Sequence, residues 1–252
     1  GTLQKSVQSQ EKIAPFIKNF QIDTSEFLKN PSQFRSFNDF FTRKLKPEAR
    51  PFSAGNHIAV LPADGRYLVF PDISRVDGFY VKGKKFDLHL LIRDEFLFDL
   101  YKKGSMVIAR LCPTDYHRFH FPFACTPGES KLINGPLFSV NPLALRARMK
   151  TLSENKRVLT ELQTESFGKV LWVEVGATCV GSIKQTYTPG QFYQKGDEKG
   201  YFEFGGSCII FFFQEKKIEF ATDLITTSKE HIEMKGKLGE PLGRVFPKTG
   251  ER

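Results

Sequence analysis

The chain has 252 residues, of which 40% are hydrophobic and 26% are charged, and its formal net charge at pH 7 is +9. This composition excludes a disordered chain and is typical of a globular protein with a sizeable core. No run of about 18 apolar residues occurs, so no membrane-spanning helix is predicted in this segment. The basic charge indicates either a solvated surface or an anionic partner. Without a nucleic-acid-binding motif, an acidic membrane surface is favoured over nucleic acid.

The chain divides into an N-terminal segment and a larger remainder. Residues 1–35 are predicted to be polar and irregular, because Pro15 and Pro31 interrupt any regular element. Residues 36–252 are predicted to form one compact domain, since neither of the longer polar segments inside it reads as a domain linker.

The first regular element of this domain is a short amphipathic helix that runs from Ser36 to about Leu45. Ser36 can cap its N-terminus, and Asp39 occupies the third position after it, as in a capping box. Phenylalanines then recur at helical spacing, and Pro47 ends the pattern. We expect this phenylalanine stripe to pack into the core.

From Ile58 onward, short apolar or alternating segments typical of strands dominate the sequence. The predicted strands cover residues 67–70, 78–81, 106–111, 170–175 and 209–213. Two further helices are predicted at 86–101 and 142–149, and residues 155–166 are predicted to be a polar connection. Because no alternation of strands and helices recurs, the predicted fold class is α+β, with mostly antiparallel sheets and a few peripheral helices in a single compact domain.

Two segments carry candidate catalytic side chains before the C-terminal region. A turn between strands contains Asp64, and residues 115–122 contain His117 and His120, two of only five histidines in the chain. His-x-x-His can form half of a metal site, but no further ligand cluster accompanies it. No metal is therefore predicted, and a histidine general base oriented by a carboxylate is favoured. The cysteines show no CxxC pair or zinc spacing and are expected to be reduced: Cys112, Cys125, Cys179 and Cys208.

The third candidate is Ser207, which follows Gly205 and Gly206 inside a segment that otherwise reads as a strand. Glycine in a strand usually marks a bulge or a close backbone approach. Ser207 could therefore attack either the carbonyl before it or a substrate. A serine hydrolase is an alternative, since the chain also offers an aspartate and a histidine. However, the nucleophile elbow of such enzymes would need glycine at Ile209 and would lead into a helix, whereas a strand is predicted here.

Seven sequence blocks occur in a specific order along the chain. They are SFNDFFTRKLKP (36–47), RP (50–51), PADG (62–65), DYHRFH (115–120), FSVNP (138–142), VEVGA (173–177) and KGDEKGYFEFGGS (195–207). Together they resemble the phosphatidylserine decarboxylase proenzyme family. The resemblance spans nearly the whole chain from about Phe37.

The resemblance implies a self-processing enzyme that depends on a pyruvoyl group. In the family, the chain is cut between the residues that match Gly206 and Ser207, which here would give a β chain of residues 1–206 and an α chain of residues 207–252. Ser207 is then the nucleophile of the cleavage. What remains of it becomes the covalent pyruvoyl cofactor, which acts as an electron sink for the departing carboxylate.

The family's other site residues carry over by position. His120 matches the base for the nucleophile, and Asp64 matches the group that orients this base. His117 is a candidate for contact with the substrate carboxylate or for proton delivery, with a structural histidine as the alternative. One departure is visible, because Cys208 follows the nucleophile where the family commonly has threonine or serine.

The function implied is the conversion of phosphatidylserine to phosphatidylethanolamine and CO2 at an anionic membrane surface. The resemblance also implies a homodimer that is peripherally associated with the cytoplasmic or inner-membrane face. Three alternatives remain open at this stage: a pyruvoyl-dependent decarboxylase of a soluble aromatic amino acid, a serine hydrolase, and a non-catalytic lipid-binding relative.

Overall fold

A computed structural model describes residues 2–75, 87–141, 150–177, 182–205 and 207–247. The α+β fold class is confirmed, since antiparallel sheets dominate and the helices are few and peripheral. The predicted strand at 78–81 and the predicted helix at 142–149 lie outside the described residues.

The strands and helices follow one another from the N-terminal segment to Val245. The strands are β1 (Ile58–Val60), β2 (Gly65–Phe70), β3 (Ser105–Leu111), β4 (Arg118–His120), β5 (Thr126–Ile133), β6 (Arg157–Gln163), β7 (Lys169–Gly176), β8 (Ile183–Gln185), β9 (Glu198–Phe202), β10 (Ser207–Phe213), β11 (Ile218–Phe220), β12 (Met234–Gly236) and β13 (Pro241–Val245). The α-helices are α1 (Ile13–Phe20), α2 (Phe37–Phe41), α3 (Leu88–Ile92), α4 (Glu95–Tyr101), α5 (Thr151–Glu154) and α6 (Thr222–Lys229).

A seven-stranded antiparallel sheet forms the centre of the molecule, in the order β12-β2-β3-β10-β7-β6-β5. Every residue of β10 is buried, and alternate side chains of this strand enter two different cores. Ile209 and Phe211 face one core, while Ile210 and Phe212 face the other. A strand covered on both faces reads as a continuous apolar run, which explains why β10 is visible in the sequence.

Two three-stranded sheets and helix α6 cover one face of this central sheet, and three helices cover the other. The small sheets have the orders β1-β13-β11 and β4-β9-β8, and their apolar side chains contribute to the core that contains Ile209. Helices α3, α4 and α5 contribute buried residues to the other core. No helix of the described residues is long and apolar enough to cross a membrane.

The N-terminal segment is more regular than predicted. It contains 3₁₀ turns and helix α1, so its description as irregular is corrected. The reason is tertiary: the ring of Phe16 lies 5.1 Å from that of Phe37 and 5.9 Å from that of Phe40, and the hydroxyl of Ser9 accepts a hydrogen bond from the amide of Phe37. The phenylalanine stripe is therefore core, as predicted.

Helix boundaries differ from the expectations in two places. Helix α2 begins as predicted, with the hydroxyl of Ser36 accepting from the amide of Asp39, but it ends at Phe41 rather than near position 45. The helix predicted over 86–101 is two helices in its described part, because Arg93 adopts a left-handed conformation with φ of 51° between α3 and α4.

The predicted connection at 155–166 is instead strand β6, which pairs with both β5 and β7. The polar residues of this segment suggest an exposed connection, but several of them are buried. Arg157 is fully buried and donates hydrogen bonds to the carbonyls of Leu90 and Leu91, near the C-terminal end of α3. Such partners come from a distant part of the sequence, so the charge on this segment does not indicate exposure.

Candidate active site

Ser207 is the first residue of β10, in the middle of the central sheet. Its backbone lies between Leu111 of β3 and Gly176 of β7. The side chain is fully buried, and its Oγ has no hydrogen-bond partner among the described residues. An unpaired buried hydroxyl carries a desolvation cost of about 1–3 kcal/mol, so this position is not explained by stability.

Two glycines, Gly205 and Gly206, precede Ser207. Gly205 has a φ of 144°, a conformation that side-chain-bearing residues rarely adopt. Gly206, the other predicted cleavage residue, lies outside the described residues. The next residue along, Cys208, faces the opposite core, and burial raises the pKa of its thiol to about 12. Cys208 is therefore a protonated, inert neighbour of Ser207 rather than a second nucleophile.

His117 is a fully buried, neutral imidazole. Its Nδ1 lies 2.9 Å from the carbonyl oxygen of Asp115, and because a carbonyl only accepts, Nδ1 carries the proton. The Nε2 atom is buried without a hydrogen-bond partner in the part of the chain that the structure describes. Burial lowers the pKa of His117 to about 3. The ring thus presents an unused lone pair at Nε2.

The segment that leads into Ser207 packs against His117. The carbonyl of His117 accepts a hydrogen bond from the amide of Phe202, at the end of β9. The ring of Phe41 lies 3.8 Å from the imidazole and 5.1 Å from the ring of Phe204. Helix α2 therefore packs against both the histidine and the segment just before the predicted cleavage site.

His120 ends β4 and uses both of its ring nitrogens. Nδ1 donates to the carbonyl of Gly196 at 2.8 Å, and Nε2 lies 3.2 Å from the hydroxyl of Tyr116. Since the carbonyl fixes the proton on Nδ1, Nε2 is the basic nitrogen and accepts from Tyr116. Burial lowers the pKa of His120, which keeps the ring neutral.

Asp64 is paired with an arginine. Its carboxylate accepts two hydrogen bonds from Arg50, at 2.8 and 2.6 Å, and a third from the amide of Leu238 at 2.9 Å. Among the described residues there is no hydrogen bond between Asp64 and His120. The link between them runs through the backbone, because the carbonyl of Pro62, two residues before Asp64, accepts a hydrogen bond from the amide of His120 at 2.8 Å. Asp64 and Tyr116 line a cavity of about 280 Å³.

The structure thus brings the predicted residues together in part. His117 precedes the short strand β4 and His120 ends it, and the backbone of His120 is hydrogen-bonded to the turn that contains Asp64. Ser207 makes no side-chain hydrogen bond to any of these three in the described structure. No group of three or more histidine, cysteine, aspartate or glutamate side chains in the described ranges could hold a metal ion.

Three contacts of this site were not predicted from the sequence. The carbonyl of Gly196 orients His120, the hydroxyl of Tyr116 contacts the same ring, and Arg50 binds Asp64. Tyr116 and Arg50 both stand in the blocks that carry the family resemblance, so their position there was an available signal. A backbone carbonyl such as that of Gly196 leaves no signal in a sequence.

Comparison with known proteins identifies the family. The model of the family described as phosphatidylserine decarboxylase matches residues 37–244. The chain belongs to this family. It is 50% identical to the phosphatidylserine decarboxylase proenzyme of Chlamydia pneumoniae, over 97% of this chain and 81% of that relative. For the proenzyme of Chlamydia caviae the identity is 51%, over 97% of this chain and 82% of the relative, and for that of Chlamydia trachomatis it is 46%, over 93% and 78%.

Proposed function

We propose that this chain is the proenzyme of a phosphatidylserine decarboxylase, which cuts itself before Ser207 and then converts phosphatidylserine to phosphatidylethanolamine and CO2. The observation that carries the proposal is the buried, unpartnered hydroxyl of Ser207, directly after two glycines. Burying this hydroxyl without a partner costs stability. Self-cleavage, in a family whose relatives are named proenzymes, gives a reason for keeping the hydroxyl there.

The self-cleavage begins with attack of Ser207 Oγ on the carbonyl carbon of Gly206, while the hydroxyl proton passes to a base. The C–N bond breaks once the C–O bond has formed, and the base gives the proton to the leaving nitrogen, so the peptide becomes an ester and Ser207 carries a free amine. Removal of the α-proton of Ser207 then expels residues 1–206 as a carboxylate and leaves dehydroalanine. Water hydrolyses that group to a pyruvoyl group and releases ammonia.

We assign the base of this step to His120. Its Nδ1 proton is held by the carbonyl of Gly196, which leaves Nε2 free of a proton and basic. Tyr116 stays protonated beside it, because burial raises the pKa of its phenol, with smaller contributions from Glu198 and Asp64. Asp64 acts through this environment: its charge supports the neutral phenol, and its bonds to Arg50 fix the turn that lies beside the cavity.

The surroundings of Ser207 fit a pyruvoyl group. The backbone of β10 is anchored on both sides, and the neighbouring position on β7 is Gly176, which has no side chain to fill the space. A pyruvoyl group supplies a ketone that condenses with the substrate amine and draws in the electron pair released when CO2 leaves. We assign the handling of a substrate proton to the Nε2 atom of His117, which is buried without a partner among the described residues. With a pKa of about 3, it binds that proton only transiently.

The N-terminal segment supports docking on an anionic membrane surface. Leu3 and Val7 are 80% and 73% exposed, and the ring of Phe20 is 56% exposed. Lys12 and Lys18 are exposed in the same segment, whereas Lys5 is paired with Glu203. Exposed apolar side chains beside lysines suit a peripheral site on acidic lipid, where the substrate is also found. A homodimer and the division into an N-terminal segment (1–35) and a decarboxylase domain (36–252) remain part of the proposal.

Mass spectrometry of the purified protein tests self-cleavage. We expect two fragments that meet at Gly206 and Ser207, with a blocked N-terminus on the smaller fragment. Ser207→Ala should give one uncut chain. Ser105→Ala, at another buried serine of the same sheet, is the matched control and should be cut normally. A cut Ser207→Ala protein would refute the mechanism.

Substrate assays separate the remaining alternatives. CO2 should be released from phosphatidylserine vesicles and not from free aromatic amino acids. Release from the amino acids alone would leave the cofactor proposal in place and refute the substrate. An intact wild-type chain that reacts with a fluorophosphonate probe would indicate a serine hydrolase. An intact chain that binds anionic vesicles without turnover would indicate a lipid-binding relative.

A further inference from the structure

A buried ion pair lies behind the candidate site. The side chains of Lys199 and Glu174 are both fully buried, and their Nζ and Oε1 atoms are 2.5 Å apart. The same ammonium donates to Oγ1 of Thr160 at 3.2 Å and to Oε1 of Gln185 at 2.8 Å. All three of its protons are therefore used, in three fixed directions.

Aromatic rings enclose this ammonium and exclude water from it. The Nζ atom of Lys199 lies 4.9 Å from the ring centroid of Tyr187, 5.0 Å from that of Trp172 and 5.8 Å from that of Phe119. Burial lowers the pKa of Lys199, and the nearby charge of Glu174 opposes this effect. An ion pair as dry as this gives little net stability compared with an apolar pair of the same size, so stability does not account for it.

Two of the three hydrogen bonds of Lys199, those to Thr160 and Glu174, join two sheets, and the bond to Gln185 lies within the small sheet. Thr160 and Glu174 stand on β6 and β7 of the central sheet, whereas Gln185 and Lys199 stand on β8 and β9 of the small sheet β4-β9-β8. One ammonium thus fixes the position of the small sheet relative to the large one. The fixation is directional, because hydrogen bonds constrain geometry more closely than apolar contacts do.

The two ends of this connection lie beside the proposed nucleophile and its base. On the small sheet, His120 pairs with Glu198, the residue before Lys199. On the central sheet, Glu174 pairs with Ile209, two residues after Ser207 on β10. Any slip between the sheets at the ion pair therefore moves His120 relative to Ser207.

We propose that Lys199 and Glu174 are positioning residues for self-cleavage, whose hydrogen-bonded pair sets the strand that carries His120 against the start of β10. The inference rests on the proposed function, in which His120 is the base for Ser207. Neither residue takes part in the chemistry. Their effect reaches the reaction through the relative placement of the two sheets.

The test replaces the pair by apolar residues of similar size, in the double variant Lys199→Met/Glu174→Leu. Replacing a buried ion pair by apolar residues of similar volume is often neutral or stabilising, so the melting temperature should be retained. Self-cleavage of freshly synthesised chain should slow by about tenfold to a hundredfold, the effect of a small misplacement of reacting groups. The pH midpoint of the cleavage rate should also move toward 6.5, as His120 loosens from its buried contacts.

Two controls separate positioning from stability. Phe213→Leu removes buried core volume at the far end of β10 and should cleave at the wild-type rate well below its melting temperature. Thr160→Val removes the hydrogen bond of Lys199 to β6 of the central sheet while leaving the ion pair intact, and it should slow cleavage severalfold. This single variant serves as the test if the double variant does not fold.

The outcomes distinguish the inference from the function on which it rests. If the wild-type chain is not cut before Ser207, the proposed function fails. If the wild type is cut and the folded apolar variant is cut just as fast, the function stands and the positioning role is wrong. Slow cleavage with an unchanged pH midpoint would also overturn it, because the pair would then not act through His120.

Discussion

The burial of His117 makes a quantitative prediction about acid stability. In the unfolded chain a histidine titrates near 6.5, whereas burial lowers the pKa of folded His117 to about 3. Between these values the unfolded state binds one more proton than the folded state, so the free energy of unfolding must fall as the pH falls. From pH 7 to pH 5 the loss due to this residue is about 2 kcal/mol.

The assay compares two proteins in a Ser207→Ala background, which should keep the chain uncut. Urea unfolding at pH 7 and pH 5 can be followed by fluorescence of Trp172, the only tryptophan and fully buried. His117→Asn retains a donor for the carbonyl of Asp115 but cannot titrate. Its stability should therefore fall by about 2 kcal/mol less than that of the parent between the two pH values.

The control is His57→Asn at an exposed histidine, which should keep the parent's loss of stability. Only the difference in pH dependence matters, so a general destabilisation by the asparagine does not affect the result. If the parent and His117→Asn lose equal stability between pH 7 and pH 5, His117 is not held as a buried neutral ring. The assignment of an unused lone pair to its Nε2 atom would then be wrong.

Two further predictions concern Arg50 and Tyr116. Arg50→Ala leaves the buried carboxylate of Asp64 without its arginine and should cost about 3–5 kcal/mol in urea unfolding, whereas Arg244→Ala, at an exposed pair, should cost no more than about 1 kcal/mol. Equal costs would contradict the buried pairing. Tyr116→Phe removes a donor to Nε2 of His120, so the pH midpoint of self-cleavage should rise by up to about one unit. A midpoint that falls would show that the phenol does not stabilise the neutral ring.

The strands that the sequence reveals are those whose environment is uniform. Strands such as β10 are buried on both faces, so their residues are apolar throughout and need no tertiary information to be recognised. Strand β6 is different, because Arg157 and Thr160 are buried by partners on α3 and β9. Helix α1 was missed for the same reason, since its regularity depends on packing against phenylalanines of α2.

The candidate site divides in a similar way. The types and order of its residues follow from sequence blocks, and these lead to His117, His120 and Ser207. Their partners do not, because the contact of His120 with Gly196 spans 76 residues and uses only a backbone atom. The pairing of Asp64 with Arg50 also cannot be predicted without the fold. Both the carboxylate and the guanidinium have other possible partners along the chain.

The place of Ser207 at the start of β10 has a consequence for how the mature enzyme could be assembled. The proposed cleavage before this residue would assign β10 to the small fragment, yet β10 lies between β3 and β7, which would belong to the large one. The two proposed products would thus be interlocked through the middle of one sheet and could not separate without disrupting it. The prosthetic group would be made where it is used and never need to be delivered. Separated fragments would have to rebuild the central sheet by association, so only the uncut precursor carries everything required to fold as one chain.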